Sequence, residues 1–303
     1  MQTPAQENMT WTVARLVNWT RDHFRRRGLD SPRLSAELLL ARAMSCERIE
    51  LYTRWDHVPD ESVRTAFRGL VAEAGDHRPI AYLLGTKEFF SMPFDVTPDV
   101  LIPRPETEIL VERTLELARA RETDGEFRLL DLCTGSGCVA ISIAAHAQRV
   151  AVSAADISAA ALRVAARNAE RHGVAARITF HEGDLYAPLP SSQRFDVIVC
   201  NPPYVAEDEA DTLPSNVRDY EPHAALFAGP DGLDIIRRVI AGAADRLAAD
   251  GHLLLEVGYD QASAVAAFFT GGGWSDVVRY RDMGGHERVL HATRSAEIRT
   301  QVA

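Results

Sequence analysis

Two short stretches carry residues whose types and spacing could do chemistry. In the first, the apolar run Phe195–Cys200 stops at Asn201-Pro202-Pro203-Tyr204. Neither proline has an N–H to donate, so the run cannot continue as a ladder strand. Asn and Pro are ordinary turn residues, and a plain turn is the simplest reading. The alternative is a stiff cradle for a flat amine or amide. There, the Asn201 side-chain oxygen and the Pro202 backbone carbonyl would accept the two N–H bonds of a planar nitrogen, and Tyr204 would cover its face. Such a nitrogen is a weak nucleophile, because its lone pair is delocalised. Orienting it and favouring the charge that develops on it would help a methyl transfer without a strong base, and the sequence offers no obvious base nearby. On this reading Asn201, Pro202 and Tyr204 are catalytic, and the four residues including Pro203 hold the substrate group.

The second stretch is Asp131-Leu132-Cys133-Thr134-Gly135-Ser136-Gly137, between an expected strand and an expected helix. Glycines there let the backbone approach a ligand, and the helix start supplies N–H groups and positive potential. Gly135-x-Gly137-x-x-Ala140 matches the dinucleotide pattern, and Asp156, at the end of the next strand, stands where a ribose-binding carboxylate belongs. NAD and S-adenosylmethionine both fit this pair. The spacing D-x-x-T-G-S-G is that of an S-adenosylmethionine loop. Cys133 stands where glycine is common, which implies that this position needs no left-handed backbone. Asp184-Leu185 follows the third strand and is expected beside an adenine, the acid near its amine and the leucine on its face. The expected cofactor set is therefore Cys133, Thr134, Gly135, Ser136, Gly137, Asp156, Asp184 and Leu185, with Asn201 alongside.

These loops need elements to hold them. From residue 127 strands and helices alternate: "FRLLDLCTG", "RVAVSAADI", "RITFHEGDL", "RFDVIVC" and "GHLLLEVG" read as strands, with helices between them. That alternation predicts an α/β fold built on a parallel sheet. One helix is expected from about Asp231 to Ala249, and Ser158 and Gly173 are expected to cap another. "WSDVVRYRD" and "HERVLHAT" are joined too tightly for a parallel crossover and must form a C-terminal antiparallel hairpin. The sheet then has seven strands. In an open α/β sheet, ligands bind outside the carboxyl ends of the strands, so both chemical stretches fall on one side.

Ahead of this sheet, residues 1–80 read as a small helical bundle. Val13, Leu16, Val17 and Phe24 share one helical face, and Val63, Phe67, Leu70 and Val71 another. Ser31 is expected to cap a helix with Pro32 at its first position. Trp11, Trp19 and Phe24 are expected in the core. Residues 81–104, rich in Pro and aromatics, read as a linker carrying a β-hairpin, and 105–303 as the catalytic domain, opened by the helix after Pro105.

Composition narrows the class. Forty-six per cent hydrophobic and 25% charged residues suit a globular protein, and no apolar stretch approaches membrane-spanning length. The N-terminus has no basic region followed by an apolar core, which predicts a cytoplasmic protein. The four cysteines lack zinc or disulfide spacing, so reduced thiols and no metal are expected. Of the net charge of −10, residues 1–85 contribute almost nothing, with 12 Lys+Arg against 11 Asp+Glu. An acidic catalytic half is a poor footprint for phosphate neutralisation, and direct DNA binding is not expected. Arg21, Arg25, Arg26 and Arg27 form a basic run that is either solvated surface or a contact for an acidic partner.

The chain resembles the protein-(glutamine-N5) methyltransferases of peptide-chain release factors, the HemK/PrmC family, over nearly its whole length. The residues that carry this are "GTKEFF…LIPRPETEILVE", "LDLCTGSGCVAISIA", "NPPY", "VRDYEPHAALFAGPDGL" and "HERVL". Asn-Pro-Pro-Tyr is shared with adenine and guanine N-methyltransferases. "LIPRPETE" is more specific, since related ribosomal-protein methyltransferases usually show Pro-Arg-Ser there. The resemblance implies a Rossmann-like, S-adenosylmethionine-dependent methyltransferase fold and, as substrate, the glutamine of a Gly-Gly-Gln loop in a release factor. It implies that Cys133–Gly137 wrap the methionine part of the cofactor, that Asp156 takes the ribose hydroxyls, that Leu185 stands where an aromatic often faces the adenine, and that the helical segment docks the protein substrate. A nucleic-acid N-methyltransferase, an NAD-dependent oxidoreductase and a non-catalytic adaptor are the competing readings. The oxidoreductase leaves Asn-Pro-Pro-Tyr and the terminal hairpin unexplained.

Overall fold

The computed structural model describes residues 10–121, 125–270 and 273–295. They divide into two compact units: the chain up to Gly85 with Ser215–Tyr220, and Thr86–Pro214 with the chain from Glu221 onward. No helix among the described residues is long and apolar enough to cross a membrane.

The first unit is helical: α1 (Val13–Arg26), α2 (Pro32–Ala43), α3 (Glu50–Thr53), α4 (Glu61–Gly75) and α5 (Ile80–Leu84). The Thr12 hydroxyl caps α1 by accepting the Arg15 N–H at 3.3 Å. Val13, Leu16, Val17 and Phe24 are buried on one face, as their spacing requires. They meet Leu39, Leu40, Phe67 and Val71 in a common core. Pro32 does open α2, but Ser31 does not cap it: its φ is +46° and its side chain makes no capping bond. A cap needs an extended backbone, and a left-handed one turns the hydroxyl away from the helix N–H groups. Phe24 is fully buried, whereas Trp19 is 49% exposed, contrary to the core position expected for it. Its amphipathic ring lies flat on His23, with centroids 5.1 Å apart. The short helix Ser215–Arg218 joins this unit, and the Tyr220 hydroxyl donates to the Asp76 carbonyl at 2.8 Å.

The second unit opens with a hairpin, β1 (Thr86–Phe89) and β2 (Met92–Asp95), turned by Phe90 and Ser91 at positive φ. A 3-10 turn, Pro105–Thr107, leads into α6 (Glu108–Ala120). There follow β3 (Phe127–Leu132), α7 (Cys138–His146), β4 (Val150–Asp156), α8 (Ala159–Arg171), β5 (Ile178–Glu182) and β6 (Phe195–Cys200). The chain continues through α9 (Asp234–Arg246), β7 (Leu247–Glu256), α10 (Ala262–Ala266), β8 (Trp274–Arg281) and β9 (Glu287–Arg294). The Ser158 hydroxyl caps α8 as expected. Helix α9 is shorter than expected, because Asp231 and Gly232 still belong to the preceding turn and Leu247 already begins β7.

The seven strands order as β5-β4-β3-β6-β7-β9-β8, the first five parallel and the last two antiparallel. This is the seven-stranded α/β sheet with a C-terminal antiparallel hairpin. Central strands are buried on both faces, so they read as nearly continuous apolar runs. Leu129, Val197 and Val199 join the core on one face; Leu130, Leu132 and Ile198 join it on the other. Strand order reverses between β3 and β6, so the crevice lies outside their carboxyl ends. The outer strand β8 pairs irregularly with β9, its register shifting between Ser275 and Val278 and again between Tyr280 and Arg281.

Candidate active site

At that crevice a cavity of about 400 Å³ is lined by the loops after β3, β4, β5 and β6, together with Pro103, Arg104 and Thr107. Of the expected residues, Cys133, Thr134, Gly135, Ser136, Asp156, Asp184, Leu185, Asn201 and Pro203 line it. Gly137, Pro202 and Tyr204 do not. Gly137 instead serves the turn: its φ is +79°, and an added Cβ would meet Ile141 Cδ1 at 2.7 Å. The Tyr204 ring packs partly against the core around α9 and β7 rather than into the cavity. Burial, with the nearby Glu256 carboxyl, pushes its hydroxyl well above the ordinary range. Phe227, which the sequence reading did not single out, is the aromatic that lines the space.

The loop after β3 is held from beneath. Asp131 is 2% exposed, and its Oδ2 accepts the Thr134 hydroxyl at 2.6 Å and the Ala140 N–H at 3.2 Å. Burial pushes this carboxyl up to about 7, and those two donors oppose the rise. Asn168 of α8 accepts the Asp95 N–H at 2.7 Å and donates to the Ser136 carbonyl at 2.9 Å, tying the loop to the β2 end of the hairpin. Cys133 corrects an expectation: its φ is +57°, a left-handed backbone where none was thought necessary. The turn is over-determined by its neighbours, since the Thr134 N–H donates to the Ala155 carbonyl at 3.1 Å and the Gly135 N–H to Asp156 at 2.9 Å, both of ordinary length. A side chain is tolerated there at a cost of roughly 1–2 kcal/mol.

Asp156 ends β4 with one oxygen on Gly135 N–H and the other on Ser158 N–H, both at 2.9 Å. Burial raises its pKa. Each oxygen keeps a further lone pair for a donor such as a ribose hydroxyl. The Ser136 hydroxyl, also on the cavity, is buried without an oxygen or nitrogen partner among the described residues. Gly135, at φ +55°, would bring an added Cβ to nothing nearer than the Cys133 carbonyl oxygen at 4.0 Å, so its bare backbone faces the cavity. An orphaned hydroxyl, a bare backbone and a terminal carboxylate suit a nucleoside cofactor with an amino-acid tail. Asp184 is engaged by Arg238 at 2.5 Å, both side chains half exposed, while Leu185 presents its apolar side chain with a φ of +50°.

On the substrate side, Asn201 donates from Nδ2 to the Thr107 hydroxyl oxygen at 3.1 Å. The buried Glu221 accepts the Ile102 N–H at 3.2 Å and Arg104 Nη2 at 2.5 Å, which fixes the segment before Thr107. Glu256 ends β7 at 1% exposure; burial pushes it up to about 7, opposed first by the Thr107 hydroxyl. Sequence reading quoted Asp131 as the start of its loop pattern without assigning it a role, and missed Glu221 and Glu256. A carboxylate closing an apolar run, as in "LLLE", is the signal that could have found the last of these. All four cysteines are free, Cys138 and Cys200 buried; burial pushes the Cys138 thiol up to about 12.

Comparison with known proteins agrees with this geometry. The PrmC N-terminal domain family matches residues 15–85 and the methyltransferase small domain family residues 107–216. A release factor glutamine methyltransferase of Rhodopirellula baltica is 44% identical over 282 residues, covering 92% of this chain and 95% of the relative. One of Geobacter sulfurreducens is 40% identical over 280 residues, covering 92% and 96%. Among solved structures, the hMettl16 catalytic domain in complex with MAT2A 3'UTR hairpin 1 superposes with a TM-score of 0.54 at 16% identity, over 78% of this chain and 80% of that one; this likeness is one of fold. With the crevice, the loop and the Asn-Pro-Pro-Tyr turn assembled on a methyltransferase sheet, and with relatives of this identity along nearly the full length, the chain belongs to the release factor glutamine methyltransferase family.

Proposed function

We propose that the protein transfers a methyl group from S-adenosylmethionine to the side-chain amide nitrogen of the glutamine in the Gly-Gly-Gln loop of a peptide-chain release factor. The observation that carries this is one cavity lined both by the Cys133–Asp156 nucleoside loop and by Asn201. Cys133 through Ser136 hold the amino-acid end of the cofactor on a turn that Gly137 makes possible, Asp156 accepts from the ribose hydroxyls, and Leu185 covers the adenine, with Asp184 at its rim. When bound, the cofactor supplies an electrophilic methyl carbon. Asn201 Oδ1 accepts one N–H of the glutamine amide and the Pro202 carbonyl the other. That turns the nitrogen lone pair toward the methyl and favours the positive charge developing on nitrogen. Pro203 stiffens the turn. Tyr204, largely buried, supports it from behind rather than capping the substrate. The methylated nitrogen is acidic and sheds its extra proton without a strong base. Residues 1–80 form the docking domain for the release factor, and 105–303 the catalytic domain, with 81–104 between them.

The test is labelling with methyl-labelled cofactor against a release factor, its loop Gln→Ala variant, and DNA. Label is expected on the unaltered release factor alone. Label on DNA and none on the release factor overturns the reading. Asn201→Ala is expected to abolish transfer while cofactor affinity holds within about threefold, since it removes orientation and not the nucleoside contacts.

A further inference from the structure

We propose that Thr107 and Glu256 are positioning residues that fix which way the Asn201 amide faces, so that its oxygen and not its NH₂ group meets the substrate nitrogen. This rests on the glutamine-methylation reading and deepens it.

Register supplies the starting geometry. Cys200 of β6 pairs with Leu255 of β7, so the next residue on each strand, Asn201 and Glu256, stand side by side at the carboxyl edge of the sheet. Thr107, from the turn before α6, bridges them. Its hydroxyl oxygen receives Asn201 Nδ2 at 3.1 Å, and the same hydroxyl does most to favour the charged form of the buried Glu256 carboxyl. The carboxyl is buried, and its Oε2 has no hydrogen-bond partner among the described residues, so it stands ready to accept one.

Donor and acceptor counting does the rest. An ionised carboxylate only accepts, so Thr107 must give it its single proton. The Thr107 oxygen then has only lone pairs left, and the Asn201 group facing it must be the donor, NH₂. The amide oxygen is thereby left for the substrate, whose nitrogen brings N–H bonds and needs acceptors. A protonated Glu256 gains an O–H and so permits the reverse chain: it donates to Thr107, Thr107 donates to Asn201, and the amide turns its NH₂ toward the substrate N–H bonds. Donor would meet donor, and the nitrogen would lose its orientation. The titratable and charged groups facing Glu256 are Arg104 and Glu106 from the segment before α6, Arg288 from β9, Tyr204 from the loop after β6, and the Cys138 and Cys200 thiols from α7 and β6, with the Thr107 hydroxyl beside them. Burial nonetheless leaves its pKa at about 7, so this reversal falls within a measurable range.

The test uses the full-length protein, a release factor and S-adenosylmethionine. Thr107→Val keeps the shape and deletes the relay, and should lower kcat about 100-fold. Its KM for the release factor and its affinity for S-adenosylhomocysteine, measured by calorimetry, should stay within about threefold. Thr107→Ser should restore most of the rate. In the unaltered protein kcat should fall below pH 7 along a limb that Glu256→Gln removes, whereas Asp131→Asn leaves that limb in place. A Thr107→Val protein that binds S-adenosylhomocysteine normally and turns over within twofold of the unaltered one overturns the proposal, as does an acid limb unchanged in Glu256→Gln. Labelling of the release factor by the unaltered protein is the control that separates this relay from the glutamine reading.

Discussion

Cys133 shows how a single residue can sit against its own backbone preference. Its left-handed φ is imposed by neighbouring hydrogen bonds to Ala155 and Asp156, because the loop must bend there to face the cavity. Glycine would relieve the steric cost, less the entropy it loses on folding. Cys133→Gly should therefore be more stable than Cys133→Ala by about 1 kcal/mol, with similar cofactor affinity, as thermal unfolding and calorimetry would show. Alanine equal to or better than glycine would mean the turn relaxes without strain. The sequence did make the position visible, as a small residue in a loop of fixed spacing. It could not reveal the φ, since a backbone angle enforced by partners 22 and 23 residues away leaves no mark on residue type.

At the level of elements, the strand–helix alternation after residue 127 was legible because buried parallel strands need apolar runs and their helices need amphipathic faces. Asp131 is the exception within β3. It lies on the face of Leu129 and Val197, under α7, and so is desolvated along with them. A carboxyl raised from its ordinary value to about 7 makes the folded state hold a proton that the unfolded chain releases. Its stabilising contribution is present in acid and is lost as pH rises through about 7. Several half-buried histidines oppose this over the same range, His291 being held down to about 4 by desolvation. The difference between proteins isolates Asp131. The stability of the unaltered protein relative to Asp131→Asn should decline between pH 5 and 7, as denaturant melts at each pH would measure. A pH-independent difference would show that Asp131 is ionised throughout. The site's second tier, Glu221 on Arg104 and Asn168 on the hairpin and the loop, was not legible, because these partners lie 117, 73 and 32 residues apart.

For the whole molecule, both family domains appear in one chain. The terminal hairpin bears on how the molecule behaves in a crowd. Among the described residues, strand β8 is an edge of the sheet with one row of backbone groups unpaired by any strand, which makes it a template on which a second copy could add a strand. Its shifted register, the left-handed Asp276 and the exposed Arg279 and Arg281, both leaning on Glu287, break that template up. Replacing Arg279 and Arg281 together with threonine should lower the onset temperature of light scattering by several degrees while changing the methylation rate little. Equal onset temperatures would mean that the kinked pairing alone suffices. An enzyme that has to admit another protein's loop at one end of its sheet thus keeps the sheet's own flank from recruiting strands.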